Sequence, residues 1–140
     1  MTDIDYSNWR GPLSQTYGPA PATSIEFTLG LDIETNKPVT MRLADLLAQR
    51  LLIQGSSGSG KTTLAKHILR QTDSVPQIIV DQEGEYTKYV SKWWCVCNGD
   101  NAKSMAATAR RHKWSVLLDI MQLRSEAKLI VIADFVERLL

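Results

Sequence analysis

Eight consecutive residues, Gly55-Ser56-Ser57-Gly58-Ser59-Gly60-Lys61-Thr62, set glycines, a lysine and a hydroxyl at a spacing suited to phosphate. Glycine at 55, 58 and 60 permits backbone conformations closed to other residues and lets amides approach phosphate oxygens. Those amides, with the first turn of a following helix, form an anion nest. Lys61 supplies a point charge for β- and γ-phosphates, the Thr62 hydroxyl a ligand for Mg²⁺, and Thr63 support on the α-phosphate side. The pattern G-x-x-x-x-G-K-[ST] is complete, so the segment reads as a site for a nucleoside triphosphate, ATP with Mg²⁺. A Gly/Ser linker shares the composition of GSSGSG, but not the Lys-Thr pair and the amphipathic residues after it.

A second group follows the apolar run Ile78-Ile79-Val80, in Asp81-Gln82-Glu83-Gly84-Glu85-Tyr86. Ligands of open α/β sheets bind beyond the carboxyl ends of strands, and carboxylates placed there suit metal or water work. Lys61, Asp81 and Glu85 are therefore the candidate catalytic residues, and Thr62 and Asp81 the candidate metal ligands. A polar turn around Gly84 that only solvates the strand end is the competing reading. Cys95 and Cys97, separated by one residue in an apolar stretch, read as buried reduced thiols, since nothing in the spacing brings His67 or His112 to them. Trp93, Trp94 and Trp114 read as core. Lys103, Arg110, Arg111 and Lys113 read as a solvated helix face.

The elements that must position these residues are legible from periodicity. Leu51-Leu52-Ile53 is a short apolar run that ends at the glycine loop and predicts a buried strand. Lys61 to Gln71 carries Leu64, Ala65, Ile68 and Leu69 on one face, with Lys66 and Arg70 on the other, and predicts a helix. Gln77 to Asp81 predicts a second strand, parallel to the first through a right-handed crossover. Further strands are predicted at Trp93 to Cys97 and Val116 to Ile120, and helices at Ala102 to His112 and Lys128 to Leu140. Upstream, two β-favouring runs around the turn ETNKP predict a hairpin at about 24–43, with a short helical turn at Ala44 to Gln49 leading on from it. Residues 1–23, rich in Gly and Pro, read as an irregular lead-in.

The chain has 140 residues, enough for one core, so 24–140 reads as one domain. A hydrophobic content of 44% and a charged content of 22% exclude disordered and fibrous classes. A net charge of +1 offers no global field for nucleic acid or anionic membrane. No apolar run approaches the ~20 residues of a membrane span and no basic-apolar leader opens the chain, from which a cytoplasmic location without membrane contact is expected. The fold class expected is α/β, a P-loop NTPase-type three-layer fold with a largely parallel sheet behind an N-terminal β-hairpin.

The sequence VDQEGEY resembles the D-x-x-G-E-Y strand-end motif of the HerA/FtsK superfamily of hexameric P-loop motor ATPases, and of its HerA-like branch in particular. The order LLIQG, GSSGSGKT, D-x-x-G-E-Y, SVLLDI and IADFVERLL is similar to that branch from about Ile25 to Leu140. The resemblance implies ATP-driven translocation on double-stranded DNA by a homo-oligomer, a hexamer, with a nuclease as a possible partner. The chain departs from that pattern: Asp119 follows Val116-Leu117-Leu118 like a Walker B aspartate, but Ile120 stands where the catalytic glutamate belongs, and Gln82 follows Asp81. An ATPase core incomplete at its C-terminal end, poor at hydrolysis on its own, is therefore expected. Two other readings share the loop: a small-molecule kinase of the uridine-kinase kind, and a nucleotide-gated assembly subunit without motor activity.

Overall fold

A computed structural model describes residues 24–90 and 95–140 of the chain. The lead-in at 1–23 and the pair Trp93-Trp94 lie outside the described residues.

The predicted hairpin forms from β1 (Glu26–Leu31) and β2 (Pro38–Arg42), paired antiparallel with a bulge between Thr28 and Gly30. Its turn is organised by the Asp32 carboxylate, which accepts hydrogen bonds from the Thr35 hydroxyl at 2.7 Å, the Thr35 amide at 2.7 Å and the Glu34 amide at 3.1 Å. The Thr35 hydroxyl above all holds the Asp32 carboxyl below its usual pKa. A short helix, α1 (Leu43–Ala48), follows, and Phe27 and Leu43 bury themselves with Ile68 in a first apolar cluster. Helix α2 (Lys61–Gln71) docks on this hairpin. At the bulge, the Gln71 side chain replaces a missing ladder partner: its Oε1 accepts from the Thr28 amide at 2.8 Å and its Nε2 donates to the Thr28 carbonyl at 2.9 Å.

The second cluster surrounds a parallel sheet of β3 (Ile78–Asp81), β4 (Cys95–Cys97) and β5 (Val116–Asp119), in the order β3-β5-β4. The central position of β5 explains its unbroken apolar run, since Val116, Leu117 and Leu118 are fully buried. Helix α3 (Ala102–His112) turns Ala102, Met105, Ala106 and Ala109 inward, and the three alanines let it pack closely against α4 (Ser125–Leu139), whose Phe135 is fully buried. The helix α4 starts at Ser125, three residues before the periodicity predicted. Its other face leaves Leu129, Ile130, Val136 and Leu140 exposed.

One predicted element is corrected. Residues 51–54 form no strand, and β3 is parallel to β5, in register from Ile78 opposite Val116 to Asp81 opposite Asp119, instead of to Leu51-Ile53. An apolar run becomes a strand only where a neighbour accepts its backbone hydrogen bonds. Among the described residues none does so for this run: Leu52 is 75% exposed, while Ile53 packs on the hairpin cluster. The α/β character, the parallel sheet and the hairpin stand.

Candidate nucleotide site

The glycine loop is shaped by its backbone before any ligand is considered. Gly58 and Gly60 have φ of +75° and +90°, in the left-handed region where a side chain is strained. A turn closes between the Ser59 amide and the Ser56 carbonyl at 3.2 Å, and a side chain at 55 would run into the Ser59 hydroxyl. Gly60 is also the residue from which α2 starts, and no side chain caps that end. The first amides of a helix have no partner within it, so this end presents unclaimed donors. Residues 55–60 and Thr63 are exposed, while Lys61 and Thr62 are half-buried. The Lys61 ammonium folds back onto the loop, donating to the Ser56 carbonyl at 2.7 Å, and forms no ion pair among the described residues. An exposed glycine loop, a left-handed helix entry and an ammonium outside any described ion pair suit a polyphosphate.

The acidic segment after β3 is held from three sides. Asp81 is 2% exposed, and its carboxylate takes four backbone hydrogens: Oδ1 accepts from the amides of Glu83 at 3.3 Å, Gly84 at 2.8 Å and Glu85 at 3.1 Å, and Oδ2 from Tyr86 at 2.8 Å. The loop is thus wound around the side chain of the residue that opens it. Gly84, at φ +75°, lies against Met121, whose sulfur occupies the space a Cβ would need. The Lys128 ammonium, on α4, donates to the Gln82 carbonyl at 2.8 Å.

The third side is α2. Thr62, Lys66 and Arg70, one helical turn apart, form a row that faces the loop. The Thr62 hydroxyl donates to Glu85 Oε2 at 2.5 Å, and the Lys66 ammonium donates to the Glu85 carbonyl at 2.8 Å while lying 5.2 Å from the centre of the Tyr86 ring. Arg70 lies 5.3 Å from the centre of the Tyr89 ring, and the Tyr89 hydroxyl donates to the Lys66 carbonyl at 3.2 Å. Burial first, then the neighbouring Glu85 and Asp81 carboxylates, pushes the Tyr86 phenol above its usual pKa; burial does the same for Tyr89.

The structure therefore joins Thr62 to Glu85 and keeps the Asp81 carboxylate inside its own loop. Asp119, opposite Asp81 on the next strand, accepts from the Met121 amide at 3.1 Å and lies 3.5 Å from the Thr87 hydroxyl. Ile120 is 1% exposed, part of the core. Lys66, Tyr86, Tyr89, Met121 and Lys128 were not among the predicted site residues. The spacing 62, 66, 70 along α2 carried a signal for Lys66, but nothing in the sequence paired it with residue 85.

The family described as the central domain of the helicase HerA matches residues 27–138, about four-fifths of the chain. The chain belongs to the HerA central-domain family. No curated protein and no solved structure matches it. Membership makes this HerA-type chain an ATPase-type domain, which implies nucleotide binding. The HerA match also spans the hairpin from Phe27 onward. No described helix of the HerA-type chain is long and apolar enough to cross a membrane, nor do its described residues gather a metal-ligand cluster.

Proposed function

We propose that this chain is the ATP-binding portion of a DNA-translocating ATPase of the HerA kind. The observation that carries the reading is the uncapped, left-handed entry to α2 at Gly60, with Lys61 and Thr62 in the first turn behind it. Gly55, Ser56, Ser57, Gly58, Ser59, Gly60 and Thr63 hold the phosphates through the loop, Lys61 offsets their charge, and Thr62 is a ligand to Mg²⁺. The magnesium ion supplies charge neutralisation of the phosphoryl oxygens when bound. Glu85 serves the γ-phosphate side with Lys61, and Asp81 takes part through the loop that its carboxylate holds. The finer fold, a three-layer P-loop NTPase, goes with this reading, supported by a parallel sheet whose carboxyl end carries Asp81 and Asp119.

Hydrolysis by the chain alone is slow in this reading, because buried Ile120 follows Asp119 and the exposed Glu85 carboxylate is engaged by Thr62. Missing electrostatic partners can be worth 10³–10⁵ in rate. Self-assembly, as a hexamer, is supported by family membership and by the exposed apolar side chains Leu129 and Val136 on α4 and Leu140 just after it. Double-stranded DNA and a nuclease are proposed partners on family grounds, and a cytoplasmic setting accompanies them.

Titration with a fluorescent ATP analogue tests the central point. Lys61→Ala should weaken binding at least tenfold without altering the circular dichroism spectrum, since the described hydrogen bond of the Lys61 ammonium is to the Ser56 carbonyl of its own loop. Equal affinity in both proteins would defeat the reading. Phosphate release, with and without duplex DNA, tests turnover.

A further inference from the structure

The hydroxyl of Thr62 has one hydrogen and two lone pairs. Its hydrogen is committed to Glu85 Oε2, which leaves both lone pairs for a cation. A carboxylate that accepts the outer hydrogen of a metal ligand fixes that ligand's orientation and raises its basicity.

The surroundings of Glu85 suit this role. Its amide is held by Asp81 Oδ1 at 3.1 Å and its carbonyl by the Lys66 ammonium at 2.8 Å, so both backbone groups are pinned while the side chain remains exposed. The two strand-end aspartates are otherwise engaged. Asp81 is 2% exposed and saturated by four amides, and drawing it to a cation would strip those donors of their acceptor. Asp119 is bonded to the Met121 amide.

We propose that Glu85 orients the Thr62 hydroxyl for a nucleotide-bound divalent cation, and that Asp81 is a positioning residue that holds Glu85 there through the backbone of 82–86. The proposal rests on the nucleotide-binding reading above. It divides two carboxylates of similar sequence appearance into one that faces the ligand site and one that builds the loop. Glycine at 84 is part of the device, because the winding needs its φ of +75° and its contact with Met121.

The test measures the affinity of a fluorescent ATP analogue in Mg²⁺ and in EDTA, and reads the Kd in EDTA divided by the Kd in Mg²⁺. Glu85→Ala should lower the wild-type ratio by roughly 10- to 100-fold, the range for loss of a carboxylate behind a metal ligand. Glu85→Gln, which removes the same charge but keeps an acceptor oxygen, should fall between wild type and Glu85→Ala. Thr62→Val should lower the ratio as far, and adding Glu85→Ala to it should change nothing more. An unaltered ratio in Glu85→Ala, with a wild type that binds nucleotide, overturns the role of Glu85. Hydrogen exchange of the nucleotide-free protein reads Asp81 separately. Asp81→Asn should accelerate exchange at the amides of residues 83–86, whereas Glu85→Ala should leave it slow. Unchanged protection in a folded Asp81→Asn protein overturns the positioning role. A wild type that binds no nucleotide in either buffer defeats the earlier reading and the Thr62 orientation with it, while the exchange result still decides Asp81.

Discussion

Asp81 and Asp119 end adjacent parallel strands in direct register, yet their carboxylates face different tasks. Asp81 turns onto the four amides that follow it, and Asp119 is bonded to Met121 at the start of the segment leading to α4. Two loops leave the same edge of the sheet, and each is tied to its own strand by the aspartate that ends it. The loops then meet, Gly84 against Met121, so the position of the acidic motif depends on both strands.

Asp81→Ala should destabilise the protein by about 3 kcal/mol, because hydrogen bonds to a charged acceptor are each worth ~1.5–3 kcal/mol and partly buried amides lose theirs. Asp81→Asn keeps one acceptor oxygen but turns an amino group toward an N–H, and should cost about half as much. Urea unfolding monitored by circular dichroism gives the comparison, and a wild-type midpoint for Asp81→Ala would contradict the assignment.

Gly84→Ala should cost roughly 1–3 kcal/mol from two sources, the positive φ and the collision with Met121. Met121→Ala in the same chain relieves only the collision, so a double-mutant cycle should show positive coupling of about 1 kcal/mol. Strict additivity would mean that the two loops do not touch in solution.

Gln71→Ala removes both partners of the Thr28 backbone at the hairpin bulge. The expected loss is about 1–3 kcal/mol, the cost of leaving a partly buried donor and acceptor unsatisfied. Hydrogen exchange should quicken at Thr28 and its neighbours in β1 while β5 stays protected. Uniform quickening in both would instead indicate global unfolding.

Alkaline pH should weaken the grip of the acidic loop on α2. The phenols of Tyr86 and Tyr89 have pKa values raised in the folded protein, so the folded state retains their protons longer than the unfolded chain does. Their contribution to stability is full below the unfolded value of about 10 and is lost as pH rises through the folded values. Ultraviolet titration at the phenolate band should show two late-titrating phenols that disappear in Tyr86→Phe/Tyr89→Phe. Titration of all tyrosines at the ordinary pKa would rule this out.

Much of the architecture was legible because its signals are local. The helices at 61–71 and 102–112 follow from apolar spacing within each segment, and their predicted bounds match α2 and α3. The glycines at 58 and 60 permitted a backbone closed to other residues, which the structure makes left-handed, and the run from Val116 read as a strand, which the structure buries at the centre of the sheet. The run Leu51-Leu52-Ile53 carries the same kind of signal and is not a strand. Strand formation needs a neighbour, and a residue's own sequence does not say whether one is present.

The acidic motif divides in the same way. The sequence by itself determined that carboxylates would gather at the end of β3, that Gly84 would allow a turn, and that Lys61 and Thr62 would open a helix behind a glycine loop. Only the tertiary structure decided which carboxylate meets Thr62. That contact joins residues 23 positions apart, and depends on how α2 lies beside the loop, how Lys66 holds Glu85, and how Met121 backs Gly84. Types and spacing select the groups available for chemistry; packing between distant elements sets which of them point at one another.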